Sequence, residues 1–249
     1  MESQRTADER AAFVLPLLSS VTDLVDVGCG PGTITVGLVQ AAGAGVSVLG
    51  VDRESSQVEM AREGARTAGV TTARFQQGSA YALPLGDASV DVVFAHAVFE
   101  HLAAPAEALA EFRRVLRGDG VIALASSDWS AARIEPWNDD VDRALRGHYL
   151  LRNQAGGDPF MGRRLPELVG EAGFVDVHTR RADRVDMDYD QLARYVGTRV
   201  ESALTGADDD HRDELERAAE AAARWATRTG TFTQCWIEVT ARSPLTGPR

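Results

Sequence analysis

The chain has 249 residues, of which 44% are hydrophobic and 25% charged, so its composition is that of a globular protein with one substantial core. Its formal net charge of −11 argues against a nucleic-acid partner, because phosphate backbones are bound through clustered positive charge. All 26 basic residues are arginine, and without lysine a Schiff-base mechanism is excluded.

No apolar run approaches the roughly 20 residues of a membrane span, and the first residues lack the basic and apolar regions of a signal peptide. We therefore expect no membrane partner and a cytoplasmic location. Cys29 and Cys235 have no metal-type spacing, which predicts free thiols and no metal site.

The first predicted element is an amphipathic helix over residues 6–19, in which Ala11, Leu15 and Leu18 share an apolar face. We expect it to cover an edge of the sheet. Arg5, just before it, could reach a ligand carboxylate, although an exposed arginine is the commoner situation.

A glycine-rich turn follows the first predicted strand. The apolar run ending at Val27 indicates a buried parallel strand, and a helix is predicted over residues 34–39. Between them, Gly28, Gly30 and Gly32 remove the Cβ atoms that would keep a ligand away from the backbone. The free N–H groups at the start of the helix would face the same gap, so the pattern predicts a small-molecule site.

The spacing of this turn disfavours a dinucleotide. The dinucleotide fingerprint is Gly-x-Gly-x-x-Gly, but here the third glycine comes one residue early and Thr33 takes its place. Asp26 would also repel a pyrophosphate and attract an ammonium group. Asp26 and the three glycines resemble the acidic-x-Gly-x-Gly-x-Gly motif of class I S-adenosylmethionine-dependent methyltransferases.

The next two strands carry further matches to that family. The strand over residues 45–52 ends at Asp52, 20 residues after Gly32, where the resemblance implies a contact with the ribose diol; Arg53 follows as a further cofactor-binding candidate. Asp52 could also be a helix N-cap. The strand over 73–77 precedes Ser79 and Ala80, which the resemblance places at the adenine, although relatives usually carry an acid where Ser79 stands.

The fourth strand, over residues 89–95, leads into a Glu-His-Leu type turn that resembles the family's fourth motif. His96 begins this turn, and two roles remain open for it. Its backbone carbonyl could bind the cofactor amine, or its imidazole could take a proton from the acceptor. Glu100 and His101 are expected to brace the following helix rather than to take part in the chemistry.

A helix over residues 105–117 and a fifth strand over 121–125 complete the predicted core, residues 20–126. Residues 127–172 and 183–230 are predicted to form helical insertions, here called the cap, and residues 173–182 and 231–242 to form closing strands. In the cap, His148 and Tyr149 are candidates for proton transfer, with a packing role as the alternative. Arg163 and Arg164 could hold an acceptor carboxylate, with solvent exposure as the alternative.

The resemblance implies one α/β domain over residues 1–249, with a doubly wound, mostly parallel seven-stranded sheet whose last strand is antiparallel. It implies S-adenosylmethionine as cofactor, S-adenosylhomocysteine as product, and in-line methyl transfer. The acidic composition and the aromatic residues of the cap favour a small organic acceptor, such as a specialised metabolite, methylated at O, N or C. An alternative is a non-methylating enzyme such as a cyclase, or a binding module, on the same fold. Monomer and homodimer both remain open.

Overall fold

The computed structural model describes residues 6–185, 187–206 and 209–244; Arg5 lies outside them. The strands are β1 (Asp23–Val27), β2 (Ser47–Asp52), β3 (Arg74–Gln77), β4 (Val90–His96), β5 (Leu116–Glu135), β6 (Val175–Arg184) and β7 (Thr231–Arg242). The α-helices are α1 (Ala7–Arg10), α2 (Thr33–Ala42), α3 (Ser55–Thr67), α4 (Pro105–Val115), α5 (Asp139–Gln154), α6 (Met161–Glu171), α7 (Tyr189–Leu204) and α8 (Asp209–Trp225).

The seven strands form one sheet in the order β3-β2-β1-β4-β5-β7-β6. Neighbouring strands from β3 to β5 are parallel, whereas β7 runs antiparallel to both β5 and β6. The predicted fold class is therefore confirmed. The strand order reverses beside β1, and in such sheets ligands bind at the carboxyl ends of the strands near this reversal.

Helices cover both faces of the sheet because its central strands are apolar on both sides. Leu24 of β1 and Val92 of β4 pack in a cluster with α1 and α2 on one face. The next residues, Val25 and Val93, face the other way and pack in a cluster with α4 and α6. This alternation holds the carboxyl ends of β1 and β4 side by side.

The predicted helix over residues 6–19 is wrong as a single element. The structure has α1, only four residues long, followed by a 3₁₀-helix at Leu15–Ser20. Pro16 lies at the start of that 3₁₀-helix. Proline has no N–H and its ring clashes with the carbonyl four residues earlier, so Pro16 disfavours one continuous α-helix over residues 6–19.

The fifth strand is much longer than predicted, and the cap is smaller. β5 reaches Glu135, because β7 pairs with it along almost its whole length, with an irregularity between Asp128 and Arg133. Three cap helices, α5, α7 and α8, share a hydrophobic cluster of their own. The fourth, α6, instead packs on the sheet beside α4 through Leu165 and Val169.

Candidate active site

The glycine turn joins the carboxyl end of β1 to α2. The N–H of Gly28 donates to the Val51 carbonyl at 2.7 Å, and Gly28 has a φ of +72°, which favours glycine. A Cβ at Gly28 would overlap Cγ2 of Val98, and one at Gly32 would lie 2.7 Å from Cβ of Ala61. At these two positions, therefore, the neighbouring protein itself requires glycine.

Asp52, at the carboxyl end of β2, is fixed against this turn. Its carboxylate accepts one hydrogen bond from the N–H of Gly30 and one from the N–H of Glu54, both at 2.9 Å. The N-cap of α3 is Glu54, not Asp52, so Asp52 does not have the capping role considered from the sequence. Arg53 is exposed and forms an ion pair with Glu54 at 3.1 Å.

Asp26 is buried in β1 under the start of α2. Its carboxylate accepts a hydrogen bond of 2.6 Å from the Thr35 hydroxyl. Burial raises the pKa of Asp26 to about 7, the Thr35 bond lowers it and the charge of Asp52 raises it. The two acids predicted from the sequence are thus close enough to affect each other, and Asp26 is half ionised near neutral pH.

Ser79 and Ala80 follow the carboxyl end of β3. The N–H of Gly78 donates to the main-chain carbonyl of Asp52 at 2.9 Å, which holds this loop beside the end of β2. The Ser79 hydroxyl accepts a hydrogen bond from the N–H of Tyr81 at 3.2 Å. Ala80 is half-buried against the core. The structure therefore brings both residues to the same edge of the sheet as Asp52.

His96 is the last residue of β4, where it pairs with Ala125 of β5. Its imidazole is buried and stacks on the indole of Trp236 in β7, with ring centroids 4.6 Å apart. Trp236 was not among the candidate residues from the sequence. Its place beside His96 depends on the insertion of β7 next to β5, which a local pattern does not reveal.

The turn after β4 is attached to the end of β5 through Glu100. This buried carboxylate accepts hydrogen bonds from the Ser126 hydroxyl at 2.6 Å and the Ser127 hydroxyl at 3.2 Å. Its backbone carbonyl accepts from the N–H of Asp158 in the cap at 3.0 Å. Glu100 thus ties the turn to β5 and to the cap, which differs from the expected bracing of the following helix. The two serines were missed, although a polar pair at the end of an apolar strand was a signal for them.

The two cap candidates lie in an aromatic cluster. His148 is 1% exposed, and its ring centroid lies 5.1 Å from that of Trp129; Tyr149 contacts Phe160 at 5.2 Å. Burial, together with the positive charge of Arg152, lowers the pKa of His148 to about 3, and burial raises the pKa of Tyr149 above its usual range. Neither group is suited to accept a proton near neutral pH, so their surroundings favour the packing role.

The remaining candidates are placed as follows. Arg163 lies over the Phe160 ring at 5.2 Å, and Arg164 pairs with Asp158 at 2.7 Å, so Arg164 already has a carboxylate partner. Both cysteines are free and buried. Among the described residues there is no group of three potential metal ligands, and no described helix is long and apolar enough to cross a membrane.

Comparison with known proteins adds the following findings. A family model described as a methyltransferase domain matches residues 18–172. An uncharacterized methyltransferase of Schizosaccharomyces pombe is 30% identical over 235 residues, which is 89% of this chain and 84% of that protein. An uncharacterized 37.1 kDa transposon protein of Streptomyces fradiae is 37% identical over 151 residues, and the match spans 61% of this chain and 43% of that protein.

Among solved structures, the YcgJ protein of Bacillus subtilis superposes with a TM-score of 0.63 at 20% identity, covering 94% of this chain and 98% of that one. At this identity the likeness establishes a shared fold.

Proposed function

Because this chain belongs to the family of class I S-adenosylmethionine-dependent methyltransferases, we propose that it transfers the methyl group to a small organic acceptor, a specialised metabolite, at an O, N or C atom. The observation that carries the proposal is the Asp52 carboxylate, which two backbone N–H groups hold at the opening of the glycine turn. The acidic surface and the aromatic cap favour a small acceptor over a nucleic acid.

The residues at this edge fit the cofactor. Each Asp52 oxygen accepts one N–H and keeps a further lone pair, which is available to a ribose hydroxyl. The glycine turn leaves the backbone accessible, and its last glycine, Gly32, is the N-cap of α2 and has no side chain to cap the helix. In our proposal Ser79 and Ala80 contact the adenine, whereas the exposed Arg53 contributes only its backbone.

Asp26 suits the ammonium end of the cofactor. A cation close to a buried carboxylate favours the ionised form, so an ammonium group would return the pKa of Asp26 from about 7 toward its ordinary range. The backbone carbonyls of Gly28 and His96, at the ends of the adjacent strands β1 and β4, would supply uncharged acceptors for the same group.

When bound, S-adenosylmethionine supplies an electrophilic methyl group on a sulfonium that departs as a neutral thioether. The chain's own residues therefore need only align the acceptor atom with this methyl and exclude water. We assign alignment to the turn after β4, which Glu100 ties to Ser126 and Ser127. His96, fixed by stacking on Trp236, would take the proton when the acceptor arrives protonated. His148 and Tyr149 shape the cap.

The proposal is tested by calorimetric titration with S-adenosylmethionine. The parent should bind, Asp52→Ala should bind at least ~tenfold more weakly through loss of charged hydrogen bonds, and the exposed control Asp139→Ala should match the parent. No binding by the parent would refute the assignment.

A second experiment separates methyl transfer from mere binding. Metabolite extract is incubated with the protein and methyl-labelled cofactor, and mass spectrometry follows the label. One new labelled small molecule is expected. Cofactor binding without methyl consumption would favour the alternative, a cyclase or a binding module.

A further inference from the structure

A group of mostly basic side chains, where the cap meets the turn after β4, is left unexplained by the proposed function. It consists of Arg152 and His148 on α5, Arg199 and Tyr195 on α7, and His101 in the turn after β4. We call it the arginine cluster. The His148 ring lies 5.9 Å from the Tyr195 ring, on which the Arg199 guanidinium packs, and Arg152 follows His148 by one turn of α5. Burial, and then the charges of Arg152 and Arg199, lower the pKa of His148.

Arg152 is 7% exposed, so its guanidinium is almost entirely removed from water. Its Nη1 contacts the His101 ring, with 2.7 Å to Nε2, and its buried Nε has no hydrogen-bond acceptor among the described residues. A buried donor without an acceptor costs about 1–3 kcal/mol, and more for a charged group. Arg152 therefore carries unused hydrogen-bonding capacity at a buried position.

Arg199 has the same deficiency from the opposite helix. Its guanidinium lies 5.7 Å from the centre of the Tyr195 ring, and its Nη1 donates a long hydrogen bond of 3.4 Å to the Tyr195 hydroxyl. Its Nε is also buried without an acceptor in the described part of the chain. His148, 1% exposed, has both ring nitrogens in that condition. Buried nitrogen atoms without a hydrogen-bond partner among the described residues are thus found on three neighbouring side chains, Arg152, Arg199 and His148.

The charges at this place do not balance. Within residues 6–185, 187–206 and 209–244, neither Arg152 nor Arg199 has a carboxylate within 4.0 Å. The nearby acid is Glu100, whose charge stabilises the ionised Arg152 but whose oxygens bind Ser126 and Ser127. The carboxyl end of α5 also favours Arg152. The positive charge of Arg199 therefore has no compensating carboxylate nearby, although the chain as a whole has a net charge of −11.

The arginine cluster adjoins the proposed site of methyl transfer. His101 ends the short helix Phe99–His101, whose preceding residue, Val98, packs directly on Gly28 of the glycine turn. The turn after β4 therefore has the cofactor-binding turn on one side and Arg152 on the other. The rings of Trp129 and Tyr149 border the cluster at His148, and Phe160 packs on Tyr149.

We propose that the arginine cluster binds a carboxylate of the methyl acceptor, so that the substrate is a small, partly aromatic organic anion held by Arg199 and Arg152. The excess of one positive charge matches one carboxylate, and guanidinium groups bind carboxylates through paired hydrogen bonds. This inference rests on the proposed function for the identity of the ligand as acceptor. The binding of a carboxylate does not depend on it.

The test is a calorimetric titration with benzoate and with benzamide, its neutral analogue of similar shape, at constant ionic strength. It is run with and without saturating S-adenosylhomocysteine. The parent should bind benzoate at least ~tenfold more tightly than benzamide, and Arg199→Gln should lose this preference. Arg199→Lys, which keeps the charge, should bind benzoate with intermediate affinity. Arg143→Gln, an exposed change of the same charge on α5, should behave like the parent.

Arg199 is the first choice because it is only half-buried, and circular dichroism establishes that each variant is folded. Equal binding of the two probes by the parent, no binding of benzoate, or an unchanged preference in folded Arg199→Gln would overturn the inference. If the parent binds S-adenosylmethionine but not benzoate, the inference fails and the proposed function stands. If it prefers benzoate through Arg199 but binds no cofactor, the carboxylate site stands and the proposed function fails.

Discussion

Asp26→Asn should change how the stability of the protein depends on pH. In the folded state burial raises the pKa of Asp26 from 3.8 to about 7. Asparagine has the same shape, and its side-chain oxygen can still accept the hydrogen bond that the Thr35 hydroxyl gives at 2.6 Å. The substitution therefore removes the titration with little change in packing.

Proton linkage gives the sign and size of the contribution that Asp26 makes to the pH dependence of the free energy of unfolding. Between about pH 4 and pH 7 the folded carboxyl keeps a proton that the unfolded one has lost, so this residue makes the free energy of unfolding fall as the pH rises. The fall approaches about 1.4 kcal/mol per pH unit between the two pKa values, which gives ~2 kcal/mol between about pH 5 and pH 7 and ~3 kcal/mol between about pH 5 and pH 8. Below the unfolded pKa of 3.8 the stabilising effect of protonated Asp26 is complete, and above pH 7 it is lost.

Urea unfolding of the cofactor-free protein at several pH values measures this pH dependence of the free energy of unfolding directly. Free energies of unfolding are compared at about pH 5, 6, 7 and 8 for the parent, Asp26→Asn and the exposed control Asp139→Asn. Relative to the parent, Asp26→Asn should gain ~3 kcal/mol of stability from the lowest to the highest pH. If all three curves run parallel, Asp26 does not carry a proton in the folded state and the argument from burial is refuted.

Three further substitutions probe the packing around the site. Gly28→Ala should destabilise by ~2 kcal/mol, since alanine is strained at a φ of +72° and its Cβ overlaps Val98; Val98→Ala should recover part of this, and no recovery would contradict the contact. Glu238→Gln should cost ~3 kcal/mol by leaving the 14% exposed Arg184 without its carboxylate, and a loss within error would show the ion pair to be unimportant. Tyr189→Phe should cost about 1 kcal/mol, because the hydroxyl donates at 2.7 Å to a main-chain carbonyl, and equal urea midpoints would refute that bond.

The part of the fold that was predictable from the sequence depends on local signals. β1, the glycine turn and β2 are each specified by a few neighbouring residues, and Asp52 lies where the spacing from Gly32 predicts. The same holds for β4 and the turn that begins at His96. Where an apolar run ends at a glycine or an acidic residue, the local sequence itself marks the end of the strand. These elements could therefore be located without knowing which strands pair with them.

What was missed depends on residues far apart in the chain. β5 extends to Glu135 only because β7, about a hundred residues later, pairs with it. The bonds from Ser126 and Ser127 to Glu100 and the stacking of Trp236 on His96 likewise require the finished sheet. The arginine cluster arises where α5 and α7 meet, and no sequence spacing indicates that meeting.

The position of β7 has a consequence for the order of events during synthesis. β6 is hydrogen-bonded only to β7 among the described strands, and β7 separates it from β5. During synthesis on the ribosome, β6 would therefore emerge before β7, its pairing partner. The second half of β5, which also pairs with β7, would likewise be unpaired at that stage. The arrangement predicts that a nascent chain stalled before residue 231 has an organised β1–β4 half of the sheet and an unfinished other half.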